Sequence, residues 1–327
     1  MAKKSNEEQI DVQKYLTVTE KQQKKIDELI DSTQKNIPKY WDEKITEEIF
    51  IPIADGEIRV FHVKPENIEN KRKILFIPGW GVTHTGFYDL YETLQDSFEF
   101  YYLETREKGS SRLNIRIADM SVDQNAKDVQ KVIDYLELSG TDFILTGPCW
   151  GATIILKGLL NKSLDAPTIL CFDPMHKLWF SKFLVNLSPL IPAFFVNWLK
   201  PIFKFVLFGN MKEKNQKKRS EEFVDNADVR KWKKAAYAAR NLHLYDLVKD
   251  IQREILVFNS TTDKVHEQTE YPKLAMEMPK GRFFFLNTEE SKRERIMSAV
   301  IKEFAKTDMK TNIPPILEEF EKSLERK

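Results

Sequence analysis

Glycine is scarce in this chain: eleven residues in 327, where average usage is about 7%. Cysteine is scarcer still, with only Cys149 and Cys171, too few for a disulfide framework, and both are expected as thiols. No basic stretch leading into an apolar run opens the sequence, so no secretory signal is expected and a reducing, cytoplasmic setting is. An excess of one charge is missing too. The 51 Lys plus Arg are interspersed with 50 Asp plus Glu, which gives no electrostatic reason to expect nucleic acid as a partner. Nor is there an unbroken run of roughly 20 apolar residues, the length a membrane-spanning helix requires. Residues 183–199 carry no charge, but Pro189 and Pro192 interrupt them. The cysteines and histidines lack ligand-like spacing and no GxGxxG turn is present, so neither a metal nor a cofactor is expected.

What the chain does have is 42% hydrophobic residues, enough for a large buried core. Residues 1–44 are highly charged, and Thr19 with Gln22 forms a capping box ahead of Ile26, Leu29 and Ile30, which reads as an amino-terminal helical appendage. The texture then changes to short β-rich runs. Segments 49–53 and 58–63 flank an Asp55-Gly56 turn, and 74–77, 98–103, 143–145, 168–172, 255–258 and 283–286 read as further strands. Between them lie helical patterns on Phe87, Leu90, Tyr91 and Leu94, on Val122, Ala126, Val129, Ile133 and Leu136 behind a Ser121–Gln124 capping box, over 152–160, and on Ile296, Val300, Ile301 and Phe304. This rhythm predicts an α/β class, with a parallel sheet covered on both faces and ligands at the carboxyl ends of its strands. The expected divisions are a core in two parts, 45–173 and 254–306, a strand-free insertion at 174–253, and a charged tail at 307–327.

Scarcity makes the glycine positions informative. Gly79, Gly81, Gly109, Gly147 and Gly151 all fall at expected strand ends, where backbone must turn sharply or approach another segment closely. The sharpest case is GPCWG, residues 147–151, directly between a strand and a helix. In such a turn the central side chain is forced out above the sheet, and here it is Cys149. Read without that context, a free cysteine is a small buried hydrophobe.

At these residues the chain resembles the α/β-hydrolase fold family, whose nucleophile elbow is GxSxG, with cysteine here in the serine position. FIPGWG (76–81) is similar to the family's oxyanion loop. ETREKGSS (104–111) is similar to an Arg/Gly/Ser loop common in the family, and FNSTTD ends at Asp263, where the family's acid falls. The resemblance implies a mostly parallel central sheet with helices on both faces and a helical cap inserted after the family's sixth strand. It further implies Cys149 as nucleophile, the backbone N–H groups of Trp80 and Trp150 as the oxyanion hole, and Asp263 as the acid, with Asp173 as an alternative acid position. The family's histidine after the last strand has no counterpart in NTEESKR (287–293), and no histidine follows His266. His84, His176 and His266 are the substitutes to consider as base, each with a packing or surface role as the alternative. His62 and His243 have no comparable claim.

The resulting expectation is a hydrolase or acyltransferase that acts on an apolar ester or thioester through an acyl-Cys149 intermediate. A thiol, unlike a hydroxyl, is partly nucleophilic without a base, but hydrolysis of the acyl-cysteine still needs an activated water, so acyl transfer is favoured over brisk hydrolysis. Two alternatives stand beside it: a catalytically silent member that binds a ligand or a protein, and an acyltransferase similar to polyhydroxyalkanoate synthases, which also carry cysteine in the elbow. The apolar first half of the insertion is expected to wall a lipophilic site. With Lys200, Lys204 and the basic stretch 212–219 behind it, the insertion could also form a peripheral membrane contact.

Overall fold

In the computed structural model, residues 11–33, 42–178, 181–208, 214–261, 267–308 and 313–326 are described. In chain order they form α1 (Glu20–Asp31), β1 (Thr46–Ile53), β2 (Gly56–Val63), β3 (Lys73–Phe76), α2 (Tyr88–Leu94), β4 (Phe100–Glu104), β5 (Arg112–Leu113), α3 (Val122–Tyr135), β6 (Phe143–Pro148), α4 (Trp150–Leu160) and β7 (Thr168–Phe172). A helical insertion follows, with α5 (Lys182–Leu187), α6 (Ala193–Phe208), α7 (Lys214–Asp225), α8 (Val229–Ala238) and α9 (Tyr245–Val248). The chain closes with β8 (Ile255–Asn259), α10 (Glu270–Glu277), β9 (Gly281–Phe285), α11 (Arg293–Ala305), α12 (Pro315–Glu318) and β10 (Glu321–Lys322).

All the strands belong to one sheet in the order β1-β2-β4-β3-β6-β7-β8-β9-β10, with β5 beside β2. From β4 to β9 the pairings are parallel, and the antiparallel β1–β2 hairpin and β10 close the two edges. Strand by strand, alternate residues enter opposite cores. Leu75, Leu145, Cys171 and Val257 face one side, with Val129, Ile133 and Ile154 of α3 and α4. Phe76, Ile144, Leu170 and Phe258 face the other, with Leu90 of α2 and Val300 of α11. A strand buried on both faces must be apolar at every position, which is why these segments read as short continuous runs.

The chain runs outward from β3 to β4, then returns across β3 to lay down β6. Consequently β3 and β6 are neighbours in a parallel pair, Phe76 opposite Thr146, at the point where the winding reverses. Loops leaving the carboxyl ends of such a pair diverge and leave a crevice, the usual ligand position in this class of sheet.

Both expected capping signals start helices, but in different ways. Thr19 and Gln22 form the complete reciprocal box. At α3 Ser121 accepts from the Gln124 backbone N–H (3.1 Å), whereas the Gln124 side chain donates to Asp128 (3.0 Å) instead of returning to the cap. Asp128 is the buried partner of Arg106, so the glutamine is recruited to an ion pair that sequence spacing does not reveal. The carboxyl-terminal segment also differs from a charged tail. Leu317 and Phe320 are fully buried, Phe285 N–H donates to the Phe320 carbonyl (3.2 Å), and β10 extends the sheet beyond β9. Ile313, Leu317 and Phe320, scattered among many charges, form too sparse a pattern to predict this. Phe320→Ala is expected to destabilise the protein by about 3–5 kcal/mol in urea unfolding; a loss below about 1 kcal/mol would mean that the segment is not part of the core.

Candidate active site

The turn from β6 into α4 is sharp because of what surrounds it. A β-carbon on Gly147 or on Gly151 would lie 2.0 Å from the same atom, the Ile77 carbonyl oxygen at the end of β3. No side chain fits at either position, so β3 can pass directly against the bend. Between the two glycines Cys149 adopts φ 50° and ψ −111°, a left-handed conformation that costs a non-glycine residue about 1–3 kcal/mol. Three hydrogen bonds over-determine it. Cys149 N–H donates to the Phe172 carbonyl (2.8 Å), and the Cys149 carbonyl accepts from the N–H groups of Thr153 (3.0 Å) and Met175 (3.4 Å).

The side chain of Cys149 is half-buried and lines a cavity of about 210 Å³ at the reversal point of the sheet. Residues from the carboxyl ends of five parallel strands meet there: Gly79 and Trp80 after β3, Cys149 after β6, Asp173 after β7, Asn259 and Ser260 at β8, and Leu286 after β9. Phe223 of α7 roofs it, and α11 walls it with the apolar Ile296, Met297 and Val300 and, at its first turn, the charged pair Arg293 and Glu294. Cys171 is fully buried on β7, with its thiol pushed up by burial, so the two cysteines are chemically distinct.

Of the residues singled out from sequence, Cys149, Trp80 and the alternative acid Asp173 are cavity-lining. Trp150 is fully buried, its ring edge-on to Trp80 with centroids 4.8 Å apart. Its backbone N–H opens α4, where the first amides have no intrahelical acceptor. Asp263 and His266 lie outside the described residues. His84 is not brought to the cavity: its imidazole packs at a tilt against Phe61 and Nδ1 lies 3.5 Å from Glu104. Nor is His176, which sits beside Glu270 (3.5 Å) and Tyr245, its imidazole held below its usual pKa by burial, against the raising effect of Glu270. Among the described residues, no histidine lines the cavity.

Sequence reading did not single out the groups that brace this site. Asn259 Nδ2 donates to Asp173 Oδ1 (2.7 Å) and to the Thr261 carbonyl (3.2 Å), which fixes the carboxylate at the cavity wall; Asp173 itself has φ 45°. The loop after β4 clamps the loop after β3. Lys108 Nζ, fully buried, donates to the Gly79 carbonyl (2.8 Å) and pairs with Glu107. Glu104 accepts from the His84 backbone N–H (2.8 Å) and from Arg59 (2.7 and 2.9 Å). From the insertion, Lys231 Nζ donates to the carbonyls of Lys108 (2.9 Å), Gly109 (3.1 Å) and Ser111, and Trp232 packs so closely on Gly81 that a β-carbon there would lie 2.3 Å from its ring. Gly81 has φ 65°, so glycine is required for conformation as well as space. In sequence these lysines look like ordinary solvated charges, because nothing local distinguishes a lysine that satisfies buried carbonyls.

Burial alone would raise the Glu104 carboxyl, but hydrogen bonding from His84 and the charge of Arg59 hold it down at about 2. A carboxyl depressed on folding contributes stability in full above about pH 4.5, and that contribution is lost as the pH falls to about 2. Glu104→Gln is therefore expected to cost about 3 kcal/mol at neutral pH, with the gap from the parent narrowing between those limits in pH-dependent urea unfolding. A gap that stays constant down to the lower limit would contradict this assignment.

Neither a protein-family model nor a curated protein matches the sequence. Solved structures do. An esterase from Exiguobacterium antarcticum superposes with a TM-score of 0.62 at 16% identity, covering 80% of this chain and 100% of its own. A hydrolase from Pseudomonas aeruginosa gives 0.60 at 14%, covering 78% and 98%. A thermophilic esterase from Thermogutta terrifontis gives 0.58 at 18%, covering 79% and 97%. At these identities the likeness is one of architecture. Together with the mostly parallel sheet, the helices on both faces and the glycine-flanked bend after β6, it establishes that the chain has the α/β-hydrolase fold.

Proposed function

We propose that the protein is a hydrolase or acyltransferase that acts on an apolar ester or thioester through an acyl-Cys149 intermediate. The observation that carries this reading is the bend itself: a strained, over-determined cysteine at the amino terminus of α4, lining a cavity at the sheet's reversal point. That the structural neighbours include esterases supports the reaction class. The aromatic and aliphatic walls support an apolar acyl group.

In the first half-reaction Sγ attacks the carbonyl carbon, and the oxyanion is received by the backbone N–H groups of Trp80 and Trp150. The C–O or C–S bond to the leaving group then breaks, and that group departs with the proton the thiol gave up. In the second, water or another acceptor attacks the thioester, releases the acyl group and restores the thiol. Of the described carboxylates at the cavity, Asp173 and Glu294, Asp173 stands at the carboxyl end of β7 and is oriented by Asn259, which suits it to draw a proton from that acceptor or to position it. With no described histidine lining the cavity, the second half-reaction is the slower one, and an acceptor better than water is favoured. The same observation favours a second reading, a cleft that binds an apolar ligand without turnover.

Incubation with activated esters of several chain lengths, followed by intact-mass spectrometry, separates the two. The enzyme reading predicts a mass increase of one acyl group that accumulates, and that is absent in Cys149→Ala. No adduct and no turnover across the panel would leave the binding reading. In single-turnover decay of the adduct, Asp173→Asn is expected to slow deacylation by about 10²-fold or more, the usual weight of a general base, with acylation little changed. Asp263→Asn, measured in parallel, reveals whether the acid implied by family resemblance acts instead.

A further inference from the structure

Helix α6 is inside out. Positions 196, 200 and 204, spaced by one turn, are half-buried, and two of them are lysines: Lys200 Nζ donates to the carbonyls of Asp225 (3.3 Å) and Ala227 (2.8 Å), and Lys204 pairs with the Asp225 carboxylate (2.9 Å). The opposite stripe, Phe194, Trp198, Ile202 and Phe205, faces outward and is between 52% and 78% exposed. A helix of a water-soluble surface carries the reverse arrangement. Phe183, Leu184 and Leu190, from α5 and the turn after it, are 61–79% exposed as well. Seven large apolar side chains exposed on two successive helices and the turn between them mark an interaction site rather than scatter.

The charge around it selects the occupant. No Asp or Glu occurs between Asp173 and Glu213, whereas Lys177, Lys182, Lys200, Lys204 and Lys212 all fall in that span. Lys177 and Lys182 are exposed on the segment leading into α5 and on α5 itself, and the acids nearest Lys200, Asp225 of α7 and Asp228 before α8, are paired with Lys204 and Arg230. A second copy seated on this face would bring lysine against lysine. An anionic lipid surface instead offers acyl chains to the aromatic stripe and headgroup charge to the exposed Lys177 and Lys182. Among the described residues no helix is long and apolar enough to cross a membrane, so a contact of this kind lies in the interface.

We propose that the outward face of α5 and α6 docks on an anionic lipid surface, with Phe194, Trp198 and Phe205 inserted among the acyl chains. Because α6 rests on α7, whose Phe223 roofs the Cys149 cavity, docking would bring that roof to the membrane. The contact needs no chemistry at Cys149.

The test is co-sedimentation of the full chain with vesicles of phosphatidylcholine alone and of phosphatidylcholine with phosphatidylglycerol, beside light scattering of the protein in solution. Expected is binding to the phosphatidylglycerol vesicles that weakens as salt rises. Phe194→Asp and Phe205→Asp, exposed changes that leave the core intact, should each lower partitioning about tenfold or more with the thermal unfolding curve unchanged. Protein that stays in the supernatant with both vesicle types would overturn the proposal. So would a dimer, without vesicle binding, that the same substitutions disperse. Equal binding to phosphatidylcholine alone would overturn the choice of an anionic surface.

Discussion

One close approach organises the site: the Ile77 carbonyl, at the end of β3, lies where side chains on Gly147 and Gly151 would have to go. Because both positions are bare, the loop after β3 and the bend after β6 share one small volume. Cys149 between them has little choice of direction. Its left-handed backbone conformation is unfavourable in isolation, and the bonds to Phe172, Thr153 and Met175 hold it. Sulfur, amide hydrogens and cavity thus come together through packing of backbone on backbone.

A second layer keeps that arrangement in place. Lys108, on the loop after β4, and Glu104, the last residue of that strand, hold the carbonyl of Gly79 and the N–H of His84, and Lys231 secures the insertion over the same loop. Buried charges of this kind are costly to desolvate, and each is stabilising only while its partners stay in position. The insertion is accordingly tied to the core at Lys231. Its polarity inverts at α6, where lysines turn inward and aromatic residues turn out.

Much of the architecture was legible because it depends on local pattern. The doubly buried strands are continuous apolar runs, Thr19–Gln22 is a capping signal, and GPCWG combines a turn with its flanking elements. The inner bracing was not, because it depends on residues far apart in sequence. Asn259 meets Asp173, Lys231 meets the 108–111 loop, and Gln124 leaves its cap for Asp128. The histidines illustrate the same limit. Proximity to expected strand ends placed His84 and His176 on the active face, but in each case a glutamate and an aromatic ring hold the imidazole elsewhere. The role of the carboxyl-terminal segment was hidden by its charge, which surrounds the three residues, Ile313, Leu317 and Phe320, that reach the core.

The account stands on one sulfur being accessible while its sister is not. Peptide mapping after brief treatment of the folded protein with a small alkylating agent measures this directly. The prediction is modification at Cys149, with Cys171 labelled only after unfolding. Equal labelling of the two, or a native Cys149 as inert as Cys171, would contradict it.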